Sequence, residues 1–203
     1  NIQNLLSQGI RFDIVINNAG VLNPPGFIIC SNGIEYTFQV NFLSHLLIDE
    51  LIIKELDHSS PLIIVSVTSP VYKLVKPEFR LPGPEGYRSF KTYSESKYYM
   101  LFMGDYLINK YPGRNMKFIG FNPGIFSSGI YRMQKNWFHK MYSIGSPFMR
   151  NPLKVASALG DVLTGKEIIN GMIYKNKNSY SVIKRSEDQR AKDFFTECSS
   201  ITC

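Results

Sequence analysis

Asp13-Ile14-Val15-Ile16-Asn17-Asn18-Ala19-Gly20 is a short run rich in β-branched residues that ends in small, turn-forming ones. That is the pattern of a buried strand delivering a turn. It returns twice. Leu62-Ile63-Ile64-Val65-Ser66-Val67 runs into Thr68-Ser69-Pro70, and Lys117-Phe118-Ile119-Gly120-Phe121 runs into Asn122-Pro123-Gly124. Helical stretches separate the three runs. Phe38, Phe42, Leu46 and Ile53 mark one over about residues 34–56, and a second is expected from Tyr93 to about Tyr111, where Pro112-Gly113 stops it. Asn151-Pro152 opens a third, and Gly171-Met172-Ile173-Tyr174 supplies one more strand. Strands alternating with helices predict an α/β fold, part of a doubly wound parallel sheet, and such a sheet binds ligands beyond the carboxyl ends of its strands.

Tyr93-Ser94-Glu95-Ser96-Lys97 opens the second helix. Residues four apart on a helix project from one face. An ammonium held near a phenol favours the phenolate and makes Tyr93 a candidate proton donor or acceptor. Ser69 at a strand end closes a turn or aims its hydroxyl at a substrate oxygen. Asn41 falls inside the first helix, and nearby His45 reads as packing or surface rather than catalysis.

In order, Asn17-Asn18-Ala19-Gly20, Ser69, Tyr93-x-x-x-Lys97 and Pro123-Gly124 resemble the short-chain dehydrogenase/reductase family, above all its retinol-dehydrogenase-like branch. The resemblance spans roughly residues 12–174. It implies a Rossmann-like fold and an oxidoreductase that uses NAD or NADP, without saying which, on an alcohol or carbonyl. It implies catalytic roles for Ser69, Tyr93, Lys97 and Asn41, and it selects Ser69 over Ser66. In that family the Asn at the place of Asn41 bends its helix and holds a water on a proton relay to the lysine. Cofactor contacts are implied for Asn17, Asn18, Ala19, Gly20, Tyr93, Lys97, Pro123, Gly124, Ile125 and Ser128. The last stands where the family usually has a threonine, so a hydroxyl is kept.

The chain departs from the family at its start. Residues 1–11 read as the tail of a helix, and no G-x-x-x-G-x-G occurs in the sequence. The expectation is an N-terminally incomplete domain lacking the first βαβ units. A second reading therefore stays open: a binding or regulatory protein with the catalytic face present and no competent cofactor site.

One partial domain over residues 1–203 is expected, with a substrate lid at 129–150 and a C-terminal tail at 186–203, the polar stretch from Arg185 reading as a short helix with a frayed end. The 129–150 segment holds Tyr131, Met133, Trp137, Phe138, Met141, Tyr142, Phe148 and Met149. Flexible methionines and large rings suit either a buried helix pair or a site for a lipophilic alcohol or carbonyl. The 70–92 loop is expected to wall the same site. The formal charge of +7 comes from scattered Lys and Arg without interleaved aromatics, which argues against a nucleic-acid partner. Cys30, Cys198 and Cys203 have neither disulfide nor metal spacing, so no metal is expected. Asp49, Glu50, Lys54 and Glu55 interrupt the best apolar run, so any membrane anchor is expected outside this chain and the protein in the cytoplasm. A homo-oligomer is compatible with the sequence.

Overall fold

A computed structural model describes residues 2–22, 26–124, 150–165, 167–175, 179–182 and 188–201. One sheet runs in the order β1 (Ile14–Asn17), β2 (Leu62–Val67), β3 (Met116–Phe121), β4 (Met172–Tyr174) and β5 (Ser179–Val182). The first four strands are parallel, and β5 returns antiparallel on β4. Parallel neighbours need crossovers. Between β1 and β2 the chain forms α2 (Tyr36–Phe38), a π-helical segment Gln39–Leu43 and α3 (Ser44–Glu55). The residues joining these three keep right-handed helical angles, so they make one rod with a widened turn in it. The crossover to β3 is α4 (Ser89–Lys110), and α5 (Pro152–Leu163) lies between β3 and β4. Short α1 (Ile2–Ser7) precedes β1, and α6 (Gln189–Ser200) follows β5.

Successive strand residues point to opposite faces, and the core divides accordingly. Leu62, Ile64 and Phe118 join α3, α4 and α6 on one side, whereas Val65, Ile119 and Phe121 join Val162 of α5 on the other. Helices on both faces make the sheet doubly wound, as expected. β1 is the exception to the expectation of buried strands. It lies at the edge of the described sheet, with Ile14 41% and Ile16 45% exposed on the face they share, whereas Val15 on the other face packs against the core.

Two boundaries move. α4 begins at Ser89, ahead of the expected Tyr93, since nothing in Ser89-Phe90-Lys91-Thr92 breaks a helix and Ser94 Oγ donates to the Phe90 carbonyl at 2.8 Å. Tyr93 therefore sits in an established turn. The loop before it is also tied down. Pro70–Leu74 form a 3₁₀ turn. Further on, Glu95 Oε1 accepts from the Glu78 amide at 3.2 Å, and Tyr99 Oη accepts from the Phe79 amide at 3.2 Å. At about 100° per residue, Glu95 and Tyr99 project well away from the face of Tyr93 and Lys97. The middle of the loop thus packs on the back of α4 and does not wall the site. Phe79 holds a positive φ of 49° to do so, a strained conformation for a bulky residue.

α6 is the short helix expected at the C-terminal end, and it packs into the core. Phe194, Phe195 and Cys198 are buried, and Phe194 meets the rings of Phe38, Phe42, Phe79 and Tyr99. Its sequence is polar on average, and the burial rests on one apolar stripe. Phe194→Ala is expected to cost about 3–5 kcal/mol, the range for emptying a packed aromatic site. A urea midpoint within error of the parent would show that α6 is dispensable. No helix among the described residues is long and apolar enough to cross a membrane.

Candidate active site

Lys97 is the buried centre of the site. Its side chain crosses from α4 to the end of β2, where Nζ donates to the Val67 carbonyl at 3.1 Å and lies 3.6 Å from Met100 Sδ. The residue is 4% exposed. Burial pushes the ammonium pKa down to about 8. In return Thr68 Oγ1 donates to the Lys97 carbonyl at 3.1 Å, so helix and strand end are stitched in both directions.

Tyr93 lies one turn before Lys97 on the same face of α4 and is nearly buried. Ser69 is half-buried in extended backbone (φ −150°, ψ 148°) and makes no side-chain cap to the 3₁₀ turn that follows. Ser66 is sealed in the core, its hydroxyl without a partner. Of the two serines, Ser69 alone has surface to offer.

Asn41 stands in the π-helical segment. Such widened turns recur at functional sites. Its Oδ1 accepts from the Val21 amide at 2.7 Å, and its Nδ2 donates to the Val21 carbonyl at 2.9 Å and to Ser96 Oγ at 3.2 Å. Both amide hydrogens are therefore in use. Ser96 Oγ donates to the Tyr93 carbonyl at 2.7 Å, which links Asn41 to the Tyr93 turn.

The 17–20 turn passes over this group. A Cβ at Gly20 would lie 3.4 Å from both Asn41 Oδ1 and Lys97 Nζ, so the backbone approaches the lysine where a side chain would crowd it. Asn18 is exposed, its amide donating to the Ile16 carbonyl at 2.9 Å. Asn17 is buried and donates from Nδ2 to Asp49 Oδ2 at 2.7 Å. His45 Nε2 lies 3.0 Å from the carbonyl of Ala19. Burial and then the Lys97 charge lower the His45 pKa, so the ring is neutral at neutral pH and its Nε2–H donates to that carbonyl. In the sequence His45 reads as packing or surface and Asp49 as a charge breaking an apolar run, although with Asn41 they stand at four-residue intervals and mark a polar stripe on an apolar helix.

Pro123 and Gly124 close the β3 end. Gly124 takes φ 74°, which favours glycine, and its amide donates to Asn122 Oδ1 at 3.0 Å. Arg150 Nη1 donates to the Pro123 carbonyl at 3.4 Å. Ile125, Ser128 and residues 129–149 of the expected lid lie outside the described residues. Among the described residues no group of His, Cys, Asp and Glu could hold a metal ion.

No protein-family model matches the chain. Mouse retinol dehydrogenase 14 is 34% identical over 131 residues, which is 64% of this chain and 39% of that protein. An uncharacterized oxidoreductase of Schizosaccharomyces pombe is 24% identical over 204 residues, 92% of this chain and 60% of the relative. The chain thus spans 39% and 60% of the lengths of these two relatives. Among solved structures, an uncharacterized protein from Mycobacterium paratuberculosis superposes with a TM-score of 0.64 at 15% identity, over 99% of this chain and 73% of that one. A short-chain dehydrogenase from Sphingobium yanoikuyae in complex with NADPH superposes at 0.57 and 19% identity, over 85% of this chain and 61% of that one. With the motifs in their order along the chain, these sequence relatives support a short-chain dehydrogenase/reductase of the retinol-dehydrogenase-like type, and the solved structures share its fold.

Proposed function

We propose that this chain carries the catalytic face of an NAD(P)-dependent oxidoreductase that interconverts an alcohol and a carbonyl on a lipophilic substrate. The observation that carries it is the placement of Tyr93 one turn from a buried Lys97, whose amine sits at the strand end beside Gly20 and Asn41. The residues fit a nicotinamide dinucleotide. The 17–20 turn has no side chain where it nears Lys97, and at the β3 end the Arg150 guanidinium, a cation suited to a phosphate, lies against Gly124, 3.7 Å from where a Cβ would stand. Lys97, Tyr93, the 17–20 turn and Pro123–Gly124 would hold the cofactor. Bound there, the nicotinamide would supply or accept the hydride.

The chain's own residues do the rest. Ser69 and Tyr93 would hydrogen-bond the substrate oxygen, and Tyr93 would give or take the proton there. Lys97, largely protonated below its pKa of about 8, favours the phenolate and lowers the cost of that transfer. With both side-chain hydrogens of Asn41 engaged, a relay water would bind its main chain.

Two exposed apolar side chains support the lipophilic substrate. α4 links the parallel strands β2 and β3 and returns against them, so its first turns lie beyond the strands' carboxyl ends. Phe90, 51% exposed, is three residues before Tyr93, and Leu74, 69% exposed, ends the turn that Ser69 starts. Apolar surface there would be removed from water by an apolar substrate, at about 25 cal/mol per Å².

In the full-length protein, Tyr93→Phe is expected to lower kcat by about 10²–10⁴-fold while leaving the fold intact. Turnover near the parent's would sink the mechanism. On a chain-length series of aldehydes, kcat/KM should climb with each methylene until the pocket fills. A flat series would refute the lipophilic assignment and leave the redox chemistry standing.

A further inference from the structure

Asn41, His45 and Asp49 follow one another at four-residue intervals along the π segment and α3. Their partners run the other way at two-residue intervals: Asn41 holds Val21, His45 holds the Ala19 carbonyl, and Asp49 holds the Asn17 side chain. The match has a metric cause. Four residues of helix advance about 6 Å, and two residues of extended chain advance about 6.6 Å. A polar stripe on a helix can therefore keep step with every second residue of a segment running the other way, and here it meets residues 21, 19 and 17 in turn. All three side chains are buried.

We propose that His45 and Asp49 are positioning residues which, with Asn41, clasp residues 17–21 and set the path of the turn beside Lys97. The claim rests on the reading of that turn as a cofactor contact. Neither residue touches the reacting atoms. Each acts through the main chain whose close pass at Gly20 leaves room above the lysine amine.

The chemistry of Asp49 agrees with a neutral clasp. Its Oδ2 accepts from Asn17, its Oδ1 has no partner, and burial raises the carboxyl pKa to about 8. A buried carboxylate with a single hydrogen bond would be costly, so the acid form holds the turn at neutral pH. An amide can do the same work, which makes Asp49→Asn the faithful control. For His45 the control is Gln, whose side-chain N–H can reach a carbonyl.

The test uses the full-length protein with four substitutions: Asp49→Leu and His45→Leu to break the clasp, and Asp49→Asn and His45→Gln to keep it. Amide hydrogen exchange over residues 18–21 reads the turn without any cofactor. The leucine variants should exchange there about tenfold faster or more, with the distant amides of β3 unchanged. Their KM for the dinucleotide should rise about tenfold, the scale for orphaning a buried partner, with kcat within about twofold. The Asn and Gln variants should stay near the parent in both readouts.

Unchanged exchange at 18–21 in folded His45→Leu would overturn the clasp. So would leucine variants that lose thermal stability while the dinucleotide KM stays put, because that pattern belongs to polar packing alone. An Asn variant as impaired as the Leu variant would do the same. If the parent binds neither dinucleotide in a calorimetric titration, the oxidoreductase reading fails and the positioning claim falls with it. Parent binding matched by equal binding in Asp49→Leu sinks the inference alone.

Discussion

Lys97→Met in the full-length protein is expected to be inactive and, at neutral pH, more stable than the parent. The lysine has a folded pKa of about 8 with burial as the cause, against about 10.4 for a free lysine. The fold therefore disfavours the charged form, by on the order of 3 kcal/mol in linkage terms. The sign follows from proton counts. Below about pH 8 both states are protonated and the full penalty applies. Between about 8 and 10 the unfolded chain binds more protons than the folded one, so the parent gains stability as pH rises and the penalty disappears. Methionine keeps the apolar stem but leaves the Val67 carbonyl without its donor, which costs about 1 kcal/mol. A net gain of about 2 kcal/mol at pH 7 corresponds to a melting point some 4–8 °C higher, shrinking to nothing near pH 10. On the proposed mechanism turnover should fall about 10³-fold or more, because the phenol would lose the cation that makes it an acid–base group. Thermal melts at pH 6, 7, 9 and 10 beside a turnover assay decide the matter. A less stable variant at pH 7, or an active one, would contradict the account.

Gly104→Ala is the second large effect, and it acts on the scaffold. An added Cβ would lie 2.0 Å from Phe118 Cδ1 and 2.1 Å from Cγ, distances no side chain tolerates. Either α4 lifts off the sheet or the Phe118 ring leaves its place. In an exposed helix the same change gains about 1 kcal/mol of propensity. Here overpacking reverses the sign, and a net loss of about 3 kcal/mol is expected in urea unfolding. Phe118→Val in the same chain should recover part of it, since the two changes share one contact. A Gly104→Ala protein as stable as the parent would show that the helix and sheet are not in close contact there.

Much of this was legible in the chain itself. Short continuous apolar runs rich in β-branched residues identified the strands, and small residues after each run identified the turns that follow them. Tyr93 and Lys97 fell on one face of α4 because four residues are close to one helical turn. Local spacing could not supply neighbours far apart in the chain. That β1 lies at the edge follows from which strand pairs with which, and Ile14 and Ile16 read as core until that pairing is known. The 78–79 segment reads as free loop, because only the folded α4 brings Glu95 and Tyr99 to its amides. The polar segment that becomes α6 hides Phe194 and Phe195 until helix periodicity and the rings of Phe38, Phe42 and Tyr99 combine. His45 and Asp49 were unremarkable as letters. Their meaning came from a match between helix rise and strand rise, a relation between two segments that only the tertiary structure sets side by side.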